Sequence, residues 1–145
     1  RGHYYLVGNH ENYDDMSTLR VDRIAHITVL NERRKPLREI KGYQQQRTFN
    51  VSQYVKEHIY MFGGESITVM FKARRSIVNQ ILDWFDGNVE FTNITADNVV
   101  CRVRVNHDAF KYWALQYMQS VKVLTPASLV TEVKAAIEEG LRQYS

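Results

Sequence analysis

The chain has 145 residues, of which 44% are hydrophobic and 24% charged, a composition typical of a globular protein with one ordinary or two small domains. Apolar residues recur along its whole length, which excludes long disordered segments, and no apolar run approaches the roughly 18 residues of a membrane span. The net charge of +3 arises in residues 1–48, where nine lysines and arginines outnumber six acidic residues; residues 49–145 carry ten of each. The single cysteine, Cys101, excludes an internal disulfide bond and favours a cytoplasmic location.

The N-terminal segment predicts β-structure. Residues 4–7 are aromatic and apolar, which is typical of a short strand, and the polar run 9–15 predicts a loop. Apolar and polar residues alternate from Thr18 to Leu30, which predicts one strand, or two with a bend, that buries one face. The face expected to be buried consists of Leu19, Val21, Ala25, Ile27 and Val29. Arg23 falls on the same face, so we expect that a bulge re-aims it or that it enters a site.

Residues 31–48 form a basic, glutamine-rich connector, and we place the domain boundary at its end. The predicted domains are therefore residues 1–48 and 49–145. The connector holds the densest basic run in the chain, which consists of Arg33, Arg34, Lys35, Arg38 and Lys41. Such a run is either a solvated loop or a contact for an anionic partner, and the sequence leaves both interpretations open.

The second domain alternates between strand and helix patterns. Asn50 or Ser52 can cap a helix to about Phe62, where Gly63 and Gly64 would end it. Residues 66–124 then predict the order β-α-β-β-α-β, which is typical of a ferredoxin-like domain. The predicted elements are a strand at 66–73, a helix from Ser76, strands at 89–94 and 99–105, a helix from Asp108 and a strand at 121–124. An extra helix follows Pro126, with Leu129, Val133, Ile137 and Leu141 on one face.

The chain has no recognisable catalytic motif. Phosphate-binding glycine loops, HExxH, CxxC and G-x-S-x-G are all missing, and the five histidines do not have metal-ligand spacing on a shared helix face. We therefore expect no enzyme activity, no cofactor and no metal. Cys101 shares the inward side of its strand with valines, which predicts a buried core residue. Arg102 and Arg104 point the other way, toward solvent or a partner.

Two N-terminal stretches, His3-Tyr4-Tyr5-Leu6 and Ser17-Thr18-Leu19-Arg20-Val21-Asp22-Arg23-Ile24, resemble the WYL-domain family of bacterial transcriptional regulators. In this family a Trp-Tyr-Leu strand precedes a Phe-Arg-Leu-Asp-Arg-Ile-like strand, and here Tyr4 replaces the tryptophan. The C-terminal region resembles the ferredoxin-like extension of the same family. The matching stretches there are Phe49-Asn50-Val51, Met61-Phe62, Ile67–Lys72, Trp113-Ala114-Leu115 and Val121–Pro126.

This resemblance implies an α+β protein in which part of an SH3/Sm-like β-barrel precedes the ferredoxin-like domain. It also implies that the chain is the ligand-sensing and oligomerising C-terminal region of a DeoR-like regulator. DNA would be bound only through a helix-turn-helix N-terminal to this chain, which begins at Arg1 and which we interpret as a piece of a longer protein. The expected assembly is a cytoplasmic homodimer with no membrane contact.

The family's ligand pocket is attributed to the motif tyrosine and to basic residues on the next strand, here Tyr5, Arg20 and Arg23. Arginines suit phosphate oxygens and an aromatic ring can stack on a base, so we expect a nucleotide or single-stranded nucleic acid as effector. Arg33 and Arg34 are further candidate contacts. One alternative is a surface pair of Arg20 with Asp22 beside a structural Tyr5. Another is a small-molecule-binding or dimerisation module without a nucleic-acid role.

Overall fold

The computed structural model describes residues 3–59 and 64–145, and within them it has two antiparallel β-sheets and four α-helices. The predicted α+β class is confirmed. The strands are β1 (Tyr5–Asn9), β2 (Met16–Arg20), β3 (Ser66–Arg74), β4 (Val89–Thr92), β5 (Asn98–Asn106) and β6 (Val121–Thr125). The helices are α1 (Val51–Glu57), α2 (Val78–Phe85), α3 (His107–Gln116) and α4 (Ala127–Arg142). None of the described helices is long and apolar enough to cross a membrane.

The larger sheet has the strand order β4-β5-β3-β6, and all its neighbours are antiparallel. Its elements follow the predicted order β-α-β-β-α-β from Ser66 to Thr125. Side chains alternate between the two faces of a sheet, so residues that lie opposite each other on β3 and β5 point to the same face. Opposite residues on the covered face are Val69 with Val103, Phe71 with Cys101 and Ala73 with Val99, and all six are buried.

Helices α2 and α3 supply the other half of this core. Ile81 and Phe85 from α2 are buried in the same cluster as Phe110 and Trp113 from α3. The ring of Trp113 lies 4.8 Å from that of Phe85, centroid to centroid, in an edge-on arrangement that aromatic pairs prefer. Cys101 is fully buried among them, as predicted, and burial raises the pKa of its thiol to about 11.

Helix α4 packs against α3 and β6, and these elements cover only part of its apolar stripe. Leu129 and Val133 are buried in the main core, whereas Ile137 and Leu141 toward the C-terminus are exposed. Its connection to α3 also includes His107. The Nδ1 atom of His107 lies 2.9 Å from Oδ1 of Asp108, and Nε2 lies 2.6 Å from Oε2 of Glu132 on α4. The hydrogen bond with Asp108, and then that with Glu132, raises the pKa of His107.

This histidine predicts a pH-dependent contribution to stability. The folded-state pKa of His107 exceeds its unfolded value of about 6.5, so the link is at full strength below about pH 6.5 and is lost as the pH rises through the folded pKa. His107→Gln should lower the free energy of unfolding by about 0.5–1 kcal/mol at about pH 6 and by less at about pH 9. Urea denaturation at both pH values measures this difference, and an equal loss at both would contradict it.

The N-terminal segment differs from its prediction. The strand expected from Thr18 to Leu30 ends at Arg20, a single 3-10 turn covers Val21–Arg23, and residues 24–30 form no regular structure. Pairing stops because β1 is only five residues long, so the last register pair is Tyr5 with Arg20. The barrel segment expected here is, in the described residues, a two-stranded sheet.

The faces of this small sheet are also the reverse of the prediction. The residues expected to be buried are exposed instead, with accessible fractions of 50% for Leu19, 77% for Ile27 and 92% for Val29. The opposite face, which we call the inner face, holds Met16, Thr18 and Arg20 on β2 and Tyr5 and Val7 on β1. Because Met16 and Val7 pack into the protein there, Leu6 and Leu19 form an uncovered outer face.

The connector is tied to the inner face by a second, smaller core. Met16, Ile40 and Tyr54 are buried together, and Val7, Leu37, Tyr43 and Phe49 pack around them. Asn50 caps α1 as predicted, with its side chain accepting a hydrogen bond from the backbone N–H of Gln53. The described helix ends at Glu57 rather than near Phe62, and the expected stop at Gly63 lies outside the described residues. This cluster spans the boundary that we predict after residue 48.

Candidate ligand site on the first two strands

The first two strands bring together two of the five predicted site residues. Tyr5 on β1 and Arg20 on β2 are direct register partners, so their side chains lie on the same inner face of the sheet. Both are partly buried. The backbone N–H of Val21 donates to the carbonyl oxygen of Tyr4 at 3.0 Å, which fixes the chain just beyond the pair. An aromatic ring and a guanidinium group therefore stand side by side at the end of this sheet.

The guanidinium of Arg20 is held by the carboxylate of Asp22. Nε of Arg20 donates to Oδ1 at 3.0 Å and Nη2 donates to Oδ2 at 2.6 Å, which is the forked geometry that arginine makes with planar anions. Nη2 also lies 3.2 Å from Nδ1 of His3. The hydrogen bond between the two side chains raises the pKa of Arg20 and lowers that of Asp22. Both groups are thus fully charged at neutral pH.

Asp22 occupies the position that an anionic ligand would take on Arg20. The pair is the alternative interpretation that the sequence left open, and it is present in the structure. An anion that bound Arg20 would have to displace this carboxylate or use the guanidinium donors that Asp22 leaves free. The side chain of Asp22 is 54% exposed, so it can move aside into solvent.

The other three predicted residues are not joined to this pair. Arg23 ends the 3-10 turn after β2, and Arg33 and Arg34 lie in the connector; all three are exposed. Among the described residues no hydrogen bond or ion pair connects any of them to Tyr5 or Arg20. Arg23 is close to Arg20 in sequence, whereas Arg33 and Arg34 lie more than ten residues further along the chain.

Two aromatic residues that we did not single out in the sequence line a cavity nearby. Tyr43 and Tyr54 pack on either side of Phe49, and Tyr54 stacks on His58 with a centroid distance of 3.8 Å. The hydroxyl groups of Tyr54 and Thr18 are 2.7 Å apart, so this cluster is joined to the inner face of the small sheet. The only signal for Tyr43 and Tyr54 in the sequence is a set of aromatic residues on both sides of the cap Asn50. Such a pattern more often marks a hydrophobic core than a ligand site.

Residues 63–141 match the WCX domain family, which is a domain associated with WYL-type regulators. The match covers more than half of the chain, which therefore belongs to this family. It includes the four-stranded sheet with α2 and α3 and nearly all of α4. No curated protein matches the chain significantly. The coarser part of the sequence resemblance, a C-terminal domain of WYL-type proteins, is thus confirmed.

Proposed function

We propose that this chain is the effector-sensing and oligomerising C-terminal region of a DeoR-like, helix-turn-helix transcription regulator from bacteria. It works in the cytoplasm without a cofactor or an enzyme activity of its own. DNA contact comes from a helix-turn-helix segment outside these 145 residues. Membership of the WCX family supports the regulatory role. The observation that carries the effector-binding part is the placement of Tyr5 and Arg20 opposite each other on the inner face of β1 and β2.

The proposed effector is a nucleotide or a short single-stranded nucleic acid. In the bound state a phosphate group replaces Asp22 on the guanidinium of Arg20, because phosphate oxygens match the same fork. The ring of Tyr5 stacks against a base, a contact that tolerates different bases. Arg23, with Arg33 and Arg34 at the edge of the site, adds attraction for neighbouring phosphates. A duplex keeps its bases stacked inside, so it cannot make the contact with Tyr5.

Binding of a fluorescently labelled oligothymidine, followed by anisotropy, tests this proposal. We expect the single strand to bind more tightly than a duplex of equal length, and Arg20→Ala to weaken binding by about tenfold. Arg23→Ala should have a smaller effect of the same sign. The matched control is Arg142→Ala, which removes one exposed arginine on α4, far along the chain from β1 and β2.

If only the overall positive charge of the chain mattered, the Arg20 and Arg142 variants would bind the oligonucleotide equally weakly. That result would show that Arg20 is not part of the binding site. The proposal gives none of the described helices the role of entering a DNA groove. Specific, salt-resistant binding of this chain to one duplex sequence would therefore contradict the whole proposal.

A further inference from the structure

A second candidate site lies where the connector, α1 and the larger sheet meet. A cavity of about 340 Å³ opens between residues 41–46, α1, the start of β3 and the end of β5. This volume is at the lower end of the range of small-molecule sites, which is about 300–1,000 Å³. The cavity is distinct from the pair of Tyr5 and Arg20, neither of which lines it.

Charged side chains of both signs surround the cavity. It is lined by three carboxylates, those of Asp15, Glu57 and Glu65, and by the cations Lys41 and Arg104. Glu57 is already engaged, because its Oε1 accepts a hydrogen bond from Gln53 at 2.7 Å and lies 3.5 Å from Nε of Arg104. The lining therefore carries a net charge of −1, with one internal ion pair.

The remaining three charges are brought together by the backbone but are not paired with one another. The N–H of Gly64 donates to the carbonyl oxygen of Met16 at 3.4 Å, which joins the chain next to Glu65 to the chain next to Asp15, and both carboxylates line the cavity. The N–H of Lys41 donates to the carbonyl oxygen of Asp14 at 2.7 Å, which joins the backbone of Lys41 to the residue before Asp15, and Lys41 lines the same cavity. No hydrogen bond or ion pair within the described residues reaches the side-chain charges of Asp15, Glu65 or Lys41.

The wall of the cavity supplies an aromatic ring and a hydroxyl donor. Tyr43 lines the cavity with Tyr54, whose hydroxyl is already bonded to Thr18. Burial, and then the charge effects of Tyr54 and Glu57, raise the pKa of Tyr43 to about 12. Its hydroxyl group therefore stays protonated at neutral pH and can donate to an acceptor. A cation near its ring face is also attracted by the π-system.

From this arrangement we infer that the cavity binds a cationic amino acid. The side-chain ammonium group of such a ligand lies between Asp15 and Glu65, and the ligand's carboxylate is bound by Lys41 and Arg104. Its net charge of +1 neutralises the net charge of the lining. The ligand thus provides opposite charges for the three groups that have no partner among the described residues, and its apolar stem packs on Tyr43. This inference is independent of the proposed effector site, so either can fail alone.

Isothermal titration calorimetry with L-lysine as the probe tests the inference on the whole chain. Cadaverine, which lacks the carboxylate, and L-norleucine, which lacks the side-chain ammonium, are the comparison compounds. We expect saturable binding of L-lysine and binding weaker by about tenfold or more for each comparison compound. Asp15→Asn and Glu65→Gln should each weaken L-lysine binding to a similar degree. Glu32→Gln, an exposed carboxylate of the connector outside the cavity lining, is the matched control and should leave it unchanged.

Lys41→Gln separates a ligand contact from a general effect on folding. It should reduce the preference for L-lysine over cadaverine, because only the amino acid uses this side chain. Absence of saturable L-lysine binding would overturn the inference. Equal binding of L-lysine and cadaverine by the unmodified chain, or unchanged L-lysine binding in both carboxylate variants, would overturn it as well.

Discussion

Replacing Trp113 by alanine is expected to lower the free energy of unfolding by about 3–5 kcal/mol. The indole is fully buried, and its ring centroid lies within 5.5 Å of those of Phe71, Phe85 and Phe110. Alanine leaves a cavity at the point where both helices meet the sheet, and the surrounding rings cannot all collapse into it. Urea denaturation followed by circular dichroism measures the loss.

Two further variants make this prediction specific. Tyr144→Ala removes an aromatic ring that is 92% exposed, and it should change stability by less than about 0.5 kcal/mol. Trp113→Phe should cost less than Trp113→Ala, because it keeps most of the ring and removes an Nε1–H group that has no hydrogen-bond partner among the described residues. A loss below about 1 kcal/mol for Trp113→Ala would show that this core is not the main source of stability.

The chain is also expected to form a dimer through the outer face of β1 and β2. Leu6 and Leu19 are register partners on that face, and their exposed fractions are 52% and 50%. Val21, just beyond β2, is 45% exposed. An uncovered apolar face and the edges of a two-stranded sheet both favour association with a second copy, and Gly64 occupies the β2 edge only at Met16 within the described residues. Light scattering across a concentration series should therefore give the mass of a dimer.

Combining Leu6→Asp with Leu19→Asp should convert this dimer to a monomer. Burial of each leucine contributes about 1.5–3 kcal/mol, and a symmetric interface contains every residue twice, so we expect the dissociation constant to rise by about a thousandfold or more. Ile94→Asp is the control, because Ile94 is even more accessible, at 63%, but follows β4 in the other sheet. An unmodified chain that stays monomeric at high concentration would contradict the proposed interface.

The C-terminal region could be predicted well because its patterns are local. Strands β3 and β5 alternate over nine residues each, and the buried apolar positions, including Cys101, are those that the alternation marks. In such segments the covering layer comes from the next element along the chain, so the apolar side is the inner side.

The N-terminal segment and the cavity could not be predicted in the same way. Alternation between Thr18 and Leu30 shows that two faces differ, but which face this chain covers depends on Met16, Ile40 and Tyr54, which belong to three separate segments. The charged residues of the cavity are also far apart in sequence, at positions 15, 41, 57, 65 and 104, and only tertiary contacts bring them together. The family resemblance predicts that Tyr5 and Arg20 belong to one site. The sequence offers the pair of Arg20 with Asp22 only as an alternative.

We propose that Arg20 is an anion-binding group and that Asp22 holds it in place until an effector arrives. Anisotropy with labelled oligothymidine, measured in parallel for the unmodified chain, Arg20→Ala and Asp22→Asn, tests it most directly. We predict opposite effects: the arginine variant binds about tenfold more weakly, and the asparagine variant binds more tightly because the competing negative charge is gone. Unchanged affinity in both variants, or weaker binding in both, would contradict this account and leave the pair of Arg20 and Asp22 as a structural surface contact.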